Sequence, residues 1–220
     1  MKNKFSIAID GPAASGKSTM AKIISKKLGL EYIDTGAMYR ALTLKVISEN
    51  IDFSNIPSIV SLLENTKIDF SNNHIYLDNE KVDKQIRKNI INQNVSNISK
   101  IKQVRSIMVK KQQDIAKEKN VIMDGRDIGT IVLPNAEYKF FVLASIEERA
   151  KRRHLELIKK GEKSVSFEQV KEEIAIRDKI DSNREVGPLL KSPDAYEIDT
   201  TNKTIDESVK KILNIIEGDN

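Results

Sequence analysis

Residues 5–18 read FSIAIDGPAASGKS, and this run decides the fold. Phe5 to Ile9 is an apolar stretch of strand length, and Asp10-Gly11-Pro12 has turn chemistry. From Lys17 to Leu28 the apolar residues Met20, Ile23, Ile24 and Leu28 then recur at helical spacing. A strand, a glycine-bearing loop and a helix, in that order, are the context the pattern Gly-x-x-x-x-Gly-Lys-Ser requires. Successive backbone N–H groups of such a loop wrap an oxyanion, and the helix N-terminus adds partial positive charge. The reading is a P-loop formed by Gly11, Pro12, Ala13, Ala14, Ser15, Gly16, Lys17 and Ser18. Lys17 would reach the β and γ oxygens of ATP, the Ser18 hydroxyl would ligate Mg²⁺, and Thr19 would add a hydroxyl to the α-phosphate. A glycine turn that merely starts a helix is the plain alternative, and both flanks argue against it.

Outward from this unit, Gly29 closes the first helix, Tyr32 and Ile33 read as a second strand, and Met38 to Ser48 and Pro57 to Glu64 read as helices. From Lys67 to Val82 apolar and polar residues alternate, with Asn72-Asn73 and Asp78-Asn79 as turn pairs, which predicts two small hairpin turns. Helical periodicity returns over Ile90 to Lys119 and is followed by a buried strand, Val121-Ile122-Met123, that ends in Asp124. Lys139 to Leu143 is a strand, Ile146 to Lys160 and Phe167 to Arg184 are helices, and Ala195 to Ile198 and Ile205 to Ile216 close with a strand and a helix. Five strands separated by helices predict an α/β fold with a parallel sheet covered on both faces. The segment at about 50–110 breaks that rhythm and is expected to form an inserted lobe, since no Pro- or Gly-rich linker isolates it.

Composition narrows the chemistry. With 220 residues, the chain can bury a full core as a single domain. It has no Cys and only two His, His74 and His154, so disulfides and thiolate zinc sites are excluded and hard cations held by oxygen remain. The net charge of +5 favours anionic partners, but only 5% of residues are aromatic and the basic residues are interspersed with acids. Stacking platforms and basic stripes are missing, and nucleic acid is not an expected partner. The residues before Asp10 are too few for a signal peptide and no segment reaches membrane-spanning length, so a cytoplasmic protein with no membrane association is expected. No long exposed apolar stripe is evident, and a monomer is expected.

A phosphate acceptor requires a second cationic site facing the P-loop, because two phosphates repel until positive charge screens them. Arg149, Arg152 and Arg153 stand at i, i+3 and i+4, so one helical face can present three guanidinium groups to the phosphates. A solvated face with Glu148 pairing Arg152 gives the same spacing. Arg177, Asp181 and Arg184 recur at i, i+4 and i+7, which suits phosphate and ribose together, or an intrahelical ion-pair ladder. Asp124 is placed to face the metal, and Gly125-Arg126-Asp127 sets a further guanidinium and carboxylate at the carboxyl end of a central strand, where open α/β sheets bind ligands. Asp34-Thr35-Gly36-Ala37-Met38-Tyr39-Arg40 places the Thr35 hydroxyl and Arg40 near the same crevice, with a capped turn and a surface Arg as the alternative. A regulatory GTPase would carry Asp-x-x-Gly, which occurs nowhere, and Asn-Lys-x-Asp. The nearest string, Asn202-Lys203-Thr204-Ile205-Asp206, is one residue too long and reads as a loop plus helix N-cap.

The strings Asp34 to Arg40, Gly125-Arg126-Asp127-Ile128-Gly129-Thr130 and Arg177-Asp178-x-x-Asp181-x-Asn183-Arg184 resemble bacterial cytidylate kinase, and the match runs nearly end to end. The resemblance implies a core at about 1–35, 113–145 and 185–220, a monophosphate-binding lobe at about 36–112 and a lid at about 146–184. It implies Mg²⁺- and ATP-dependent phosphorylation of CMP and dCMP in pyrimidine metabolism. Carried over by motif, Arg40, Arg126 and Arg184 would hold the acceptor phosphate, Thr35, Ser96, Arg105 and Asp127 would surround cytosine, and Arg177 and Asp181 would meet the ribose. Lys17, Arg126, Arg149, Arg153 and Arg184 would stabilise the transferred group, with Arg152 on the ATP side and Ser18 and Asp124 at the metal. Lys179, Ile180 and Ser182 stand where some relatives carry Asp or Arg, so extra lid cations from that helix are absent. The rival readings are a kinase for UMP, AMP or dTMP, or a nucleotide-gated binding module without turnover.

Overall fold

A computed structural model describes residues 4–159, 161–162 and 165–218 of the chain. Among them, β1 (Ser6–Asp10), β2 (Glu31–Asp34), β6 (Val121–Gly125), β7 (Tyr138–Leu143) and β8 (Tyr196–Asp199) form a parallel sheet in the order β2-β6-β1-β7-β8. The strands are short and apolar because both faces are covered. Along β1 the strand period of two sends Ile7 and Ile9 to one face, against Met20, Ile24, Val209 and Ile212, and Ala8 to the other. The helices behind the first face are α1 (Lys17–Leu28) and α8 (Ile205–Glu217). Thr204 caps α8 in a reciprocal pair with Glu207, so the stretch 202–206 is a loop and an N-cap, as the sequence indicated.

The opposite face meets α2 (Thr35–Ser48) and the inserted segment, which comprises α3 (Ile56–Glu64), the antiparallel β3 (Ile68–Ser71), β4 (His74–Leu77) and β5 (Glu80–Lys81), then α4 (Asn89–Ser99) and α5 (Lys102–Glu118). Asn72, Asn73, Asp78 and Asn79 all have positive φ, which is why those pairs turn the small sheet. One apolar cluster runs from Ala8, Ile33 and Met123 through Leu42 and Met108 into Leu63, Phe70 and Ile86. The expected single helix over 90–119 is broken at Ile101, whose extended backbone starts α5. No Gly or Pro marks the break; burial of Ile98, Ile101 and Val104 in the same cluster sets it.

The charged helix α6 (Ile146–Lys159) and α7 (Phe167–Ser182) form a helical pair with its own core of Ala150, Leu157, Val170 and Ile174. Burial of each of the larger three contributes about 1.5–3 kcal/mol. Lys160, the expected end of α6, lies outside the described residues. No helix is long and apolar enough to cross a membrane among the described residues.

Candidate active site

The sheet order brings the carboxyl ends of β2, β6 and β1 side by side, and each strand delivers an aspartate there. Asp34 pairs in register with Asp124, and Asp124 with Ile9, next to Asp10. All three are buried. Buried carboxylates must be hydrogen-bonded or neutralised, so their partners define the site.

Asp10 accepts from the Ile128 and Gly129 N–H groups at 2.8 and 2.7 Å. Burial pushes it up to about 6, against the pull of those donors. It thereby anchors the single π-helical turn Ile128–Val132, which follows Arg126 and Asp127. Asp34 caps α2 by accepting from Ala37 N–H at 2.9 Å, so the helix starts at Thr35 and not at Met38 as periodicity suggested. Its other oxygen accepts from Arg87 at 2.5 Å, and Arg40 approaches at 3.9 Å. Against a burial penalty, Arg40 and Arg87 hold the Asp34 carboxyl below its ordinary value. Asp124 accepts from Ser18 Oγ at 2.5 Å and Tyr32 Oη at 2.9 Å, while its backbone carbonyl accepts from Thr35 Oγ1 at 2.8 Å.

The glycine at the mouth of the cradle is required by close approach. Gly11 has φ +152°, and a Cβ there would overlap the Val142 carbonyl oxygen. Lys17 lies buried with Nζ donating to the Pro12 carbonyl at 3.0 Å, and the buried Ser15 hydroxyl has no protein partner. Burial, then the Arg126 charge, lowers Lys17 to about 7. Burial, then Arg126 and Arg40, lowers Arg177 to about 10, and among the described residues no carboxylate lies within ion-pair distance of it. The Nε groups of Arg40, Arg105 and Arg184 are buried without partners. Buried cations, several of them held below their ordinary values first by burial and then by neighbouring cations, with unmet guanidinium donors beside them, suit a polyanion.

Carboxylates of the protein meet part of that demand. Arg126 donates Nε to Asp181 at 2.6 Å and Nη1 to the Gly125 carbonyl at 3.1 Å, and Arg184 approaches Asp181 at 3.5 Å. Arg105 pairs with Asp127 and lies 5.5 Å from the Tyr39 ring. Gly187, at φ +61°, closes over that pair so tightly that a Cβ would overlap Asp127 Oδ2, and its carbonyl accepts from Arg184 at 2.8 Å. Lys17, Arg40, Arg105, Arg126, Asp127, Arg177, Asp181 and Arg184 thus form one constellation. Ser96 is half-buried on α4, and Thr19 is exposed at the start of α1.

The three α6 arginines part company. Arg149 is buried and joins α6 to the cradle and to α7, donating to Ala144 O at 3.0 Å, Ala13 O at 3.2 Å and Asp178 Oδ2 at 2.6 Å. Arg152 forms the i+4 pair with Glu148 at 3.0 Å and also grips Thr200 through Oγ1 and the carbonyl. Arg153 pairs with Glu156 at 2.9 Å. Sequence reasoning missed Arg87, Thr200, Gly187, Asp178 and the Tyr32 phenol. Thr200 follows the last strand and so stands at the strand-end position that signals a ligand crevice. Arg87 sits in a 3₁₀ turn of the insert that no periodicity reveals.

Hard oxygen donors at the lip of the cradle test the cation reading. The Ser18 hydroxyl and Asp124 carboxylate are within 2.5 Å of each other, and no cluster of three His, Asp or Glu suited to a metal occurs among the described residues. That set fits Mg²⁺, which takes one or two protein oxygens and completes its shell with water and phosphate oxygens, and it does not fit a cage-bound metal.

The lowered Lys17 gives a pH prediction. At pH 8 the free protein holds Lys17 largely neutral, and polyphosphate beside it restores the charge, so ADP binding takes up a proton, approaching one. At pH 6 Lys17 is already charged and contributes no uptake. Calorimetric titration in buffers of different ionisation enthalpy measures this; uptake at pH 8 that survives in Lys17→Met would assign it elsewhere.

Comparison with known proteins agrees with the geometry. The cytidylate kinase family model matches residues 7–218. The chain is 52% identical over 210 residues to a cytidylate kinase of Clostridioides difficile (strain 630), covering 96% of this chain and 97% of that one. It is 50% identical over 222 residues to a cytidylate kinase of Bacillus cereus (strain G9842), covering 99% and 98%. Among solved structures, an uncharacterized protein from Eubacterium ventriosum ATCC 27560 superposes with a TM-score of 0.55 at 13% identity, over 97% of this chain and 99% of that one, a likeness of fold alone.

Proposed function

The chain belongs to the cytidylate kinase family, and from that premise we propose how its residues divide the work of the reaction. The enzyme moves the γ-phosphoryl group of ATP onto CMP or dCMP, giving CDP or dCDP and ADP. An oxygen of the acceptor phosphate forms a bond to the γ-phosphorus as the bond from that phosphorus to the β–γ bridging oxygen breaks, and ADP carries the electron pair away. The acceptor oxygen is already ionised near neutral pH, so no general base is needed.

In this reading the 11–18 loop binds the donor phosphates, with Lys17 Nζ leaving the Pro12 carbonyl for the β and γ oxygens. Arg40, Arg126 and Arg184 take the acceptor phosphate; Arg126 and Arg184 are already held together by Asp181. Arg105 and Asp127, with Thr35 and Ser96, face the base, and Arg177 and Asp181 face the ribose. Arg149 and Arg153 close from the lid onto the transferred group, and Arg152 borders the ATP side with Thr200. Mg²⁺, when bound, neutralises charge between the β and γ oxygens, and Ser18, with Asp124 through water, would hold it. Residues 36–112 act as the monophosphate lobe and 146–184 as the lid, whose closure excludes water. The protein works as a cytoplasmic monomer without nucleic acid as a partner.

The observation that carries this reading is the cluster of buried cations between the P-loop and Asp181, in which burial, then the Arg126 charge, holds Lys17 and Arg177 below their ordinary values. A coupled assay over CMP, dCMP, UMP, AMP and dTMP tests it. CMP or dCMP should give the highest kcat/KM; a higher value for AMP or dTMP, or tight ATP binding without acceptor-dependent turnover, would overturn it.

A further inference from the structure

Asp124 is the penultimate residue of β6, and Tyr32 stands on the adjacent strand β2, in register with Ile122 two residues earlier. The strand period of two puts Tyr32 on the same face as Asp124, toward α1 and the cradle. The phenol is buried, 3% exposed, and donates to Asp124 Oδ1 at 2.9 Å, while Ser18 Oγ donates to Oδ2 at 2.5 Å. Strand placement alone fixes the Asp124 backbone but not the plane of its carboxylate, because an sp³–sp² terminal torsion is broad and two-fold. Two donors, one on each oxygen, remove that freedom.

The phenol is itself held from both sides. Tyr32 N–H, on the sheet's edge strand, donates to Asn73 Oδ1 at 2.8 Å, and Asn73 N–H returns a bond to Glu31 Oε1 at 2.7 Å. Lys22 Nζ lies 5.5 Å from the centre of the Tyr32 ring. The turn of the inserted small sheet therefore fixes the backbone, α1 flanks the ring, and the hydroxyl points at Asp124.

We propose that Tyr32 is a positioning residue of the cation site: its phenol sets the plane of the Asp124 carboxylate so that Oδ2 stays turned toward Ser18 and the shell of the bound metal. On binding, Ser18 can give an oxygen lone pair to the cation while its O–H still donates to Oδ2, and the Tyr32 bond to Oδ1 is the second donor that keeps the carboxylate from rotating. Partners that orient a directly ligating group change metal affinity by about 10–100-fold when removed, and because Asp124 acts through water the lower end of that range applies.

The inference rests on the assignment of Ser18 and Asp124 to the cation, so the experiment carries both. Mn²⁺ is titrated into the ADP-bound full-length enzyme and followed by electron paramagnetic resonance, in wild type, Tyr32→Phe and Ser18→Ala, with ADP affinity in EDTA and thermal unfolding measured alongside. Tyr32→Phe keeps the ring and its packing. It should weaken Mn²⁺ binding by about tenfold or more while ADP affinity in EDTA stays within about twofold. Unchanged Mn²⁺ affinity in Tyr32→Phe, with Ser18→Ala weakened, would overturn this inference alone. Unchanged affinity in both variants would overturn the site assignment with it. An equal loss of ADP affinity in EDTA would reduce Tyr32 to a support of the loop and also overturn the proposal.

Discussion

Replacing Lys17 with Met is expected to lower kcat by about 10²–10³-fold while leaving the folded chain at least as stable as the wild type. The two halves of that result have one cause. Lys17 is buried among Arg126 and Arg177, so the free protein bears the cost of desolvating an ammonium that has no carboxylate in direct contact. Its folded-state value, about 7, is below its unfolded value, so the unfolded chain binds more protons above pH 7 and the wild type gains stability as pH rises from there. Met fills similar space without that charge and should unfold at an equal or higher temperature at pH 7. Activity should move the other way, because in the proposed mechanism the ammonium meets the charge that develops on the transferred group. Single-turnover quench-flow and thermal unfolding measure both; kcat within threefold of wild type would contradict the cradle assignment.

Arg126→Met should lower kcat/KM for CMP by about 10³-fold, with the KM for ATP changed little. In the proposed division of roles the guanidinium is the hub of the acceptor side, and it is fixed by Asp181 at 2.6 Å and the Gly125 carbonyl at 3.1 Å. Lys at this position restores the charge but not the planar fork, and should recover only part of the rate. Loss of Arg126 also removes the nearest cation from the buried Asp181, leaving Arg184 at 3.5 Å and the more distant Arg177, so the single variant should be less stable. Adding Asp181→Asn should return stability without returning activity. If activity returned with stability, Arg126 would be a structural ion-pair partner and not a ligand of the acceptor.

Much of this was legible in residues 5–18 and in the strand-end strings, because the cradle, the parallel sheet and the aspartates at strand ends are local consequences of local sequence. The helix spanning 17–28 and the two turn pairs of the small sheet were readable for the same reason. What was hidden is what depends on distant chain segments. The break at Ile101 is made by packing, with no local breaker to announce it. The pairing of Arg126 with Asp181 joins residues on different elements, while the Arg177-Asp181-Arg184 spacing alone suggested a ladder within one helix. On α6 the spacing puts three arginines on one helical face, yet Arg149 turns to Asp178, Arg153 pairs with Glu156, and Thr200, 48 positions from Arg152, draws that side chain to the loop after β8. Tyr32 looked like an ordinary strand aromatic, since nothing in its neighbours in sequence marks a carboxylate two residues along the next strand.

The central claim is that one pocket of converging cations brings two repelling anions into contact. The crystal structure of the enzyme with CMP, a non-hydrolysable ATP analogue and Mg²⁺ tests it directly. The ammonium of Lys17 should lie about 3 Å from the γ-phosphate oxygens, with Arg40, Arg126 and Arg184 at similar distances from the acceptor phosphate and the two phosphates in line. An acceptor phosphate bound away from Arg126 and Arg184, with those side chains still closed on Asp181, would contradict it.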